Sequence, residues 1–565
     1  MSITLSKYLL ARQVFGVPGD FNLHFLDNIE EDDQLEWIGA TNELNGAYAA
    51  DGYARVVGAG FFVSTCGVGE LSALNAFCGS YAEQIPVIHL VGTPSTQLTN
   101  KGLILHHTLG PQHNPDTFPR IWETCTVAQV NMTERTTPKE IDAAIEACIR
   151  RNQPIYISLP QDLVNLKFDA KALETPLNLE QPENWPEVEP IVVDHIVGLL
   201  KESKAPVLIM DAGANRDHIE EECDQLIRAL PNVPYFQSAM GKSSVSEHYP
   251  NYAGVYCGSL SLESIEKTFQ AADLVIFLGH INVDLNTGFF SCDTSKMKVV
   301  ELHSTYTLVR GGRFERVGMK RMLPQLIKKL QNETITSTVP IPKDLALPRP
   351  KEPSAKGLVS YPFFWSRVEE YIQSGDVLFA EPGTCGFGLL DLKLPEKCKI
   401  VAQYMWASIG FGTASLVGGA AARTRRCIGF LGDGSYQMSF GELSTVVRYN
   451  LPCTIFLMNN EGYTVEKYLH GVKKHYNQIN TKWRYLETMR YFGGDSELTW
   501  LVDTEEKLVQ LFKDPKFLQR EGCKFVEVRL PELDGGRLLT QVVVKQGRMG
   551  DDGAPIDYNE VGKPY

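Results

Sequence analysis

The chain has 565 residues, 43% of them hydrophobic and 22% charged, with a formal net charge of −14. Mean hydropathy is −0.15 and the pI is near 5.5. That length is too great for one hydrophobic core and predicts three or four domains. The acidic balance, with no dense Lys/Arg run, argues against a nucleic-acid or anionic-membrane surface.

The twelve cysteines are scattered without a CxxC pair, which argues against a zinc site and a disulfide scaffold. No stretch approaches the ~18 uninterrupted apolar residues of a membrane span. MSITLSKYLL lacks the basic start and long apolar segment of a signal peptide. The expectation is a cytoplasmic protein.

VFGVPGD (Val14–Asp20) reads as a short apolar strand running into a turn that ends on Asp20. A helix over Phe21–Ile29, a strand over Leu35–Ala40 and a small-residue helix, AYAADGYARV, follow. A strand and turn are read at Phe61–Gly69 and again at Pro86–Pro94, and Pro154–Pro160 ends the series. Strands alternating with helices predict an α/β layer with a parallel sheet. Glu43 stands where a carboxylate favours the start of the small-residue helix. Leu105-His106-His107-Thr108-Leu109-Gly110 places two histidines together. On a strand they would face opposite ways; in a loop both can line a cleft, and histidine moves protons near neutrality.

A Pro-, Glu- and Asn-rich stretch over 178–187 reads as a linker, and residues 190–330 again alternate strands with helices. No strand there carries a glycine fingerprint followed by a ribose-binding acid, so no dinucleotide is assigned and a dehydrogenase reading lacks support. A proline-rich linker over 337–356 leads to a third domain. In it, Glu381-Pro382-Gly383-Thr384 follows the strand Asp376–Ala380, and Trp406-Ala407-Ser408-Ile409-Gly410 lies in a small-residue segment.

Cys427–Gly462 is the most informative stretch. It reads as strand, glycine-rich turn (Gly432–Ser435), helix, strand (Thr454–Met458) and polar loop. The helix shows a fair 3.6-residue period through Met438, Leu443, Val446 and Val447. Parallel strands would put turn and loop at one sheet end, bringing Asp433 beside Asn460. One carboxylate and one amide oxygen are a sparse ligand set that suits Mg²⁺ shared with a phosphate. Gly434 and Ser435 fall at a helix N-terminus that favours the phosphate.

Gly432–Ser435 followed by NNEGYTVE (Asn459–Glu466) resembles the thiamine diphosphate (ThDP) motif of the 2-oxo-acid decarboxylases, particularly those of the fungal pyruvate decarboxylase type. NELNGAYAADGYAR (Asn42–Arg55) and LHHTLG match the same family, and the likeness runs from about Leu5 to Leu530. It implies three doubly wound parallel-sheet α/β domains. These are an N-terminal pyrimidine-binding domain (1–178), a central domain (189–336) and a C-terminal diphosphate-binding domain (357–535), followed by a tail (536–565). It implies non-oxidative decarboxylation of a 2-oxo acid, pyruvate first, with ThDP and Mg²⁺ as cofactors. Metal ligands would be Asp433, Asn460 and the carbonyl of Gly462. Glu43 would bond the aminopyrimidine ring, Ile409 would wedge between the cofactor's two rings, and Thr384, Ala407, Gly434 and Ser435 would complete its binding. Asp20, His106, His107 and Glu466 would handle protons. The resemblance also implies a dimer or dimer of dimers with active sites between subunits.

The sequence departs from the family pattern in four places. Only Lys7–Gln13 separate the opening strand from VFGVPGD. Gly213 stands where some relatives carry a cysteine linked to substrate activation, predicting no thiol-dependent activation there. Pro382, Gly386 and Val465 replace threonine, alanine and isoleucine; the last two changes suggest room for an acid bulkier than pyruvate, unless Phe289 or Phe290 fills it. Pro111–Asp116 and Gly535–Tyr565 match poorly. Competing readings are a decarboxylase of aromatic or branched 2-oxo acids, a carboligase, or an inactive ThDP-binding homologue.

Overall fold

The structure, a computed structural model, describes residues 11–545 apart from 347, 355, 473 and 520. The shortened N-terminal connection therefore lies largely outside the described residues, as does the tail beyond 545.

Three sheets account for the strands. The first holds β1 (Gln13–Gly16), β2 (Glu36–Gly39), β3 (Gly60–Thr65), β4 (Val87–Thr93), β5 (Gln129–Asn131) and β6 (Ile155–Pro160). All its pairings are parallel and its order is β2-β1-β3-β4-β6-β5. β3 and β6 are buried at every position, as strands covered by helices on both faces must be.

The second sheet runs from β7 (Pro206–Met210) through β8 (Tyr235–Gln237), β9 (Tyr252–Val255), β10 (Leu274–Leu278) and β11 (Lys298–Leu302) to β12 (Tyr306–Val309) and β13 (Gly312–Glu315). Its last two strands pair antiparallel, so the expected parallel sheet gains a hairpin at one edge. The preceding linker is pinned: the buried Asn184 donates to Glu189 and to the Gly318 carbonyl.

The third sheet holds β14 (Val377–Ala380), β15 (Lys399–Val401), β16 (Cys427–Gly432), β17 (Cys453–Asn459), β18 (Thr499–Val502) and β19 (Cys523–Arg529), all parallel. Its order, β15-β14-β16-β17-β19-β18, repeats that of the first sheet position by position. In both sheets the chain reverses direction beside the first strand, and ligands of such sheets bind at the carboxyl ends of the strands flanking that point.

The two outer domains share one core. The helix Glu43–Val57 packs against Phe411–Ala421, and both are almost wholly buried and rich in glycine and alanine. A methyl built on Gly418 would lie 1.8 Å from the Ala49 carbonyl, and one on Gly52 2.1 Å from that of Ser415. Only glycine permits this approach.

Two sequence expectations change here. The helix after β16 is not continuous: Asp433–Ser439 and Leu443–Arg448 are separated by a 3₁₀ turn at Phe440–Glu442. That turn shifts the register, so Leu443 and Val446 are buried while Met438 is 59% exposed. The expected tail opens with a helix, Gly536–Lys545. Arg537 ties it to Asp391 and to the Leu260 carbonyl of the central domain.

Candidate active site

The C-terminal half builds an oxygen-lined cradle. Asp433 begins the helix after β16, so Gly434 and Ser435 occupy its first turn. The Asp433 carboxylate is 1% exposed; it accepts N–H bonds from Gly434 (2.9 Å) and, across the strand gap, Gly462 (3.0 Å). Burial pushes its pKa up to about 7. Residues 433 and 460 are thus adjacent, as the strand order requires. The Asn460 side chain presents one amide atom 3.2 Å from both Asp433 Oδ1 and the Gly462 carbonyl, and the other 2.8 Å from Thr464 Oγ1. With nitrogen inward, that amide donates to both oxygens; with Oδ1 inward, three oxygens converge. Adjacent ligands in an octahedral Mg²⁺ shell sit roughly 2.9 Å apart. The cluster therefore fits a small hard cation, which would also relieve the buried carboxylate.

The loop carrying these groups is held from beneath. Glu461 (φ 58°) and Gly462 (φ 130°) adopt positive φ, and the buried Lys467 ammonium donates to the Glu461 carbonyl (2.6 Å) and Glu532 (2.7 Å). Next to the loop, Glu466 opens onto a cleft of about 470 Å³ lined also by Ile409, Tyr463, Leu469, His470 and Tyr476.

Thr384 starts the helix Thr384–Leu390 behind Gly383 (φ 101°), and a methyl on Gly383 would lie 3.2 Å from Val465. Ala407 also takes positive φ (52°). Its neighbour Ser408 accepts a hydrogen bond from Tyr48 (2.7 Å).

Sequence reasoning passed over Glu381 except as part of a turn. Fully buried, it accepts the N–H groups of Gly410 (3.0 Å) and Thr413 (3.2 Å), clamping the segment after Ile409. Burial lifts its pKa to about 7. Its signal was a carboxylate directly after a fully apolar strand.

The N-terminal half gathers the other candidates. Asp20 and His106 face each other (Oδ2–Nε2 3.0 Å) at 72% and 53% side-chain exposure. His106 stacks on Phe21, with ring centroids 5.0 Å apart, and His107 lies edge-on to the same ring. The histidines sit in a loop, and His107 has φ 66°. Both therefore approach Phe21, which a strand would prevent. Glu43 is half-buried, 3.1 Å from a methyl built on Gly69. The N-terminal candidates therefore meet at one sheet edge and the C-terminal candidates at another. Among the described cavities, the cleft of Glu466 and Ile409 includes no N-terminal residue.

Gly386 does not enlarge that cleft. It is buried, and a methyl there would meet the Glu381 carbonyl (3.3 Å) and Tyr404 (3.8 Å). Phe289 packs on the C-terminal core, and Phe290 is 64% exposed.

Three family models match the chain: the N-terminal TPP-binding domain of thiamine pyrophosphate enzymes over 4–117, the central domain over 193–330 and the C-terminal TPP-binding domain over 386–528. The chain belongs to the thiamine pyrophosphate enzyme family. It is 39% identical over 554 residues to the pyruvate decarboxylase of Candida glabrata, covering 95% of this chain and 97% of that one. It is 38% identical over 562 residues to pyruvate decarboxylase isozyme 3 of Saccharomyces cerevisiae, covering 97% and 98%. Among ThDP-dependent decarboxylases, then, it stands close to the fungal pyruvate decarboxylases. The 4-hydroxybenzoylformate decarboxylase of Rhodococcus jostii RHA1, ThDP-dependent and 18% identical, superposes with a TM-score of 0.72 over 94% of this chain and 99% of its own, sharing the fold.

Proposed function

We propose that the chain is a ThDP- and Mg²⁺-dependent decarboxylase that converts pyruvate to acetaldehyde and CO₂. The observation that carries this reading is the oxygen cluster of Asp433, Asn460 and Gly462 beside the cleft that Glu466 lines. Those three residues would hold Mg²⁺; Gly434, Ser435 and Thr384 would receive the diphosphate; Ala407 and Ile409 would support the rings; Glu43 would face the aminopyrimidine. Bound ThDP supplies the nucleophile and the electron sink for loss of CO₂.

What remains for the protein is proton traffic. Each turnover of a 2-oxo-acid anion to an aldehyde and CO₂ consumes one proton, delivered to the carbon that lost CO₂. Asp20, His106, His107 and Glu466 are the groups assigned to hold and pass it. Asp20 orients the His106 imidazole across 3.0 Å, and histidine exchanges protons at neutral pH.

Because the two candidate sets occupy separate sheet edges, we assign the working site to an assembly in which the N-terminal half of one chain faces the C-terminal half of another. The exposed Met405, Trp406 and Met438 around the C-terminal half support such a contact. Mixing Glu43→Gln chains with Asp433→Ala chains tests it. Activity above that of either variant is expected, because a mixed dimer keeps one unaltered site; no recovery sinks the shared site. Among the described residues no helix is long and apolar enough to cross a membrane, which accords with a cytoplasmic location, checked by cell fractionation.

The test of the reaction is aldehyde formation with ThDP and Mg²⁺ from pyruvate, phenylpyruvate, indolepyruvate and a branched 2-oxo acid. Pyruvate ahead is expected, since the position of Gly386 adds no room to the cleft. A bulky acid ahead moves the enzyme to the aromatic or branched class, with Val465 as the residue to enlarge. No turnover of any acid overturns the reading.

A further inference from the structure

Behind the N-terminal candidates lies a buried carboxylate that the proposed chemistry does not use. Glu70, fully buried, stands in the first turn of the helix Val68–Ala82 and is among the residues that line a cleft of about 770 Å³, together with Leu105 and Thr108 of the histidine loop. One carboxylate oxygen accepts the Gly67 N–H (2.8 Å) and the other accepts the Tyr156 hydroxyl from β6 (3.0 Å). It is the side chain that closes the turn from Cys66 to Gly69.

That turn lies against two of the N-terminal candidates, His107 and Glu43. Gly67 has φ 62°, and a methyl there would lie 2.0 Å from the His107 carbonyl, so the histidine loop rests directly on the Gly67 backbone. Two residues on, a methyl at Gly69 would lie 3.1 Å from Glu43 Oε1. The turn is thus a spacer between His107 and Glu43, with glycine at the two positions they approach, Gly67 and Gly69, and it is held by Glu70 from behind.

We propose that Glu70 is a positioning residue: by bonding the Gly67 N–H and the Tyr156 hydroxyl together, it fixes the distance between Glu43 and His107. The inference rests on the roles assigned above to those two residues. Glu70 is fully buried behind the turn and is assigned no contact with substrate or cofactor; it acts through the turn. A displacement of about 1 Å at a reacting group can cost on the order of a hundredfold in rate.

The test pairs Glu70→Ala with Glu70→Gln. The glutamine keeps an oxygen for the Gly67 N–H and is expected to retain kcat within about twofold; the alanine is expected to lose ten- to a hundredfold in kcat. KM should change less than kcat, and the alanine variant should bind ThDP and remain folded by thermal melting. Crystal structures of both variants without cofactor give a readout independent of activity. In Glu70→Ala the Gly67–Gly69 turn and the His107 carbonyl should shift together, and in Glu70→Gln both should stay. An unmoved turn in the alanine variant overturns the proposal, as does glutamine behaving no better than alanine. Glu43→Gln and His107→Ala serve as controls: if both retain full turnover, the site assignment fails, and the crystallographic comparison still decides what holds the turn.

Discussion

The two outer sheets have the same strand order, yet their carboxyl edges are opposite environments. At the C-terminal edge the functional groups are dry and locked: Asp433 is 1% exposed and Asn460 6%. At the N-terminal edge the Asp20 and His106 side chains are more than half exposed, and the histidines ride on a loop. One scaffold has thus been specialised twice. A cradle for a cation and a diphosphate gains from low dielectric and fixed oxygens. Under the proposed roles, groups that exchange protons gain from contact with water until the substrate and, in the proposed assembly, a second chain cover them.

Removing the centre of the dry edge should have the largest effect. Asp433→Ala is expected to abolish Mg²⁺-dependent ThDP binding and with it turnover, read by calorimetric titration of ThDP with and without EDTA. Metal-dependent binding of near-native strength in that variant would break the contrast between the two edges. Next comes the N-terminal edge: Glu43→Gln should lower kcat by about 10²–10⁴ while leaving ThDP affinity within a few fold. Loss of affinity instead of rate would mean both edges serve binding.

A smaller effect belongs to the buried clamp at Glu381. Burial raises its pKa from 4.5 to about 7, so between those values the folded chain holds a proton that the unfolded chain has released. The stability this group contributes therefore falls as pH rises from 4.5 through 7. Glu381→Gln cannot titrate, so its melting temperature should gain on that of the wild type from about pH 5 to about pH 8. Parallel curves would mean that Glu381 is already ionised at pH 5.

The smallest expected effect is none. A methyl on Gly213 would lie 2.5 Å from Gly279 Cα and 2.8 Å from Met319, so this position in the central domain has no space for a side chain. Substrate saturation should be hyperbolic and keep its shape after treatment with a thiol reagent. Sigmoidal curves abolished by the reagent would place a regulatory thiol elsewhere among the cysteines.

Much of this was legible from local pattern. Strand, turn and helix at Cys427–Ser435 put Asp433 on a helix start, and parallel pairing alone brought Asn460 beside it, because both follow adjacent strands of one sheet. The histidine loop was readable only as an open choice: adjacent histidines diverge on a strand and converge in a loop, and the sequence held both options until the loop was seen seated on Gly67. The Met438 reading failed because a single 3₁₀ turn changes the helical register, and nothing in the spacing of apolar residues marks where such a turn falls. Gly386 failed for a related reason: a missing side chain has a direction, and the sequence records only that it is missing.

What the sequence determined by itself was the set of chemical groups and, for the βαβ unit of the third domain, the sheet end that carries them, since element type follows from short-range periodicity and parallel pairing puts both loops at one end. The tertiary structure decided the rest. Burial of Asp433 and Glu381, the close packing of two small-residue helices, and the hydrogen bond from Tyr156 to Glu70 all depend on contacts between residues far apart in the chain. Desolvation and hydrogen bonding act through space, so the same carboxylate is a solvated surface charge or a buried anchor according to what folds over it.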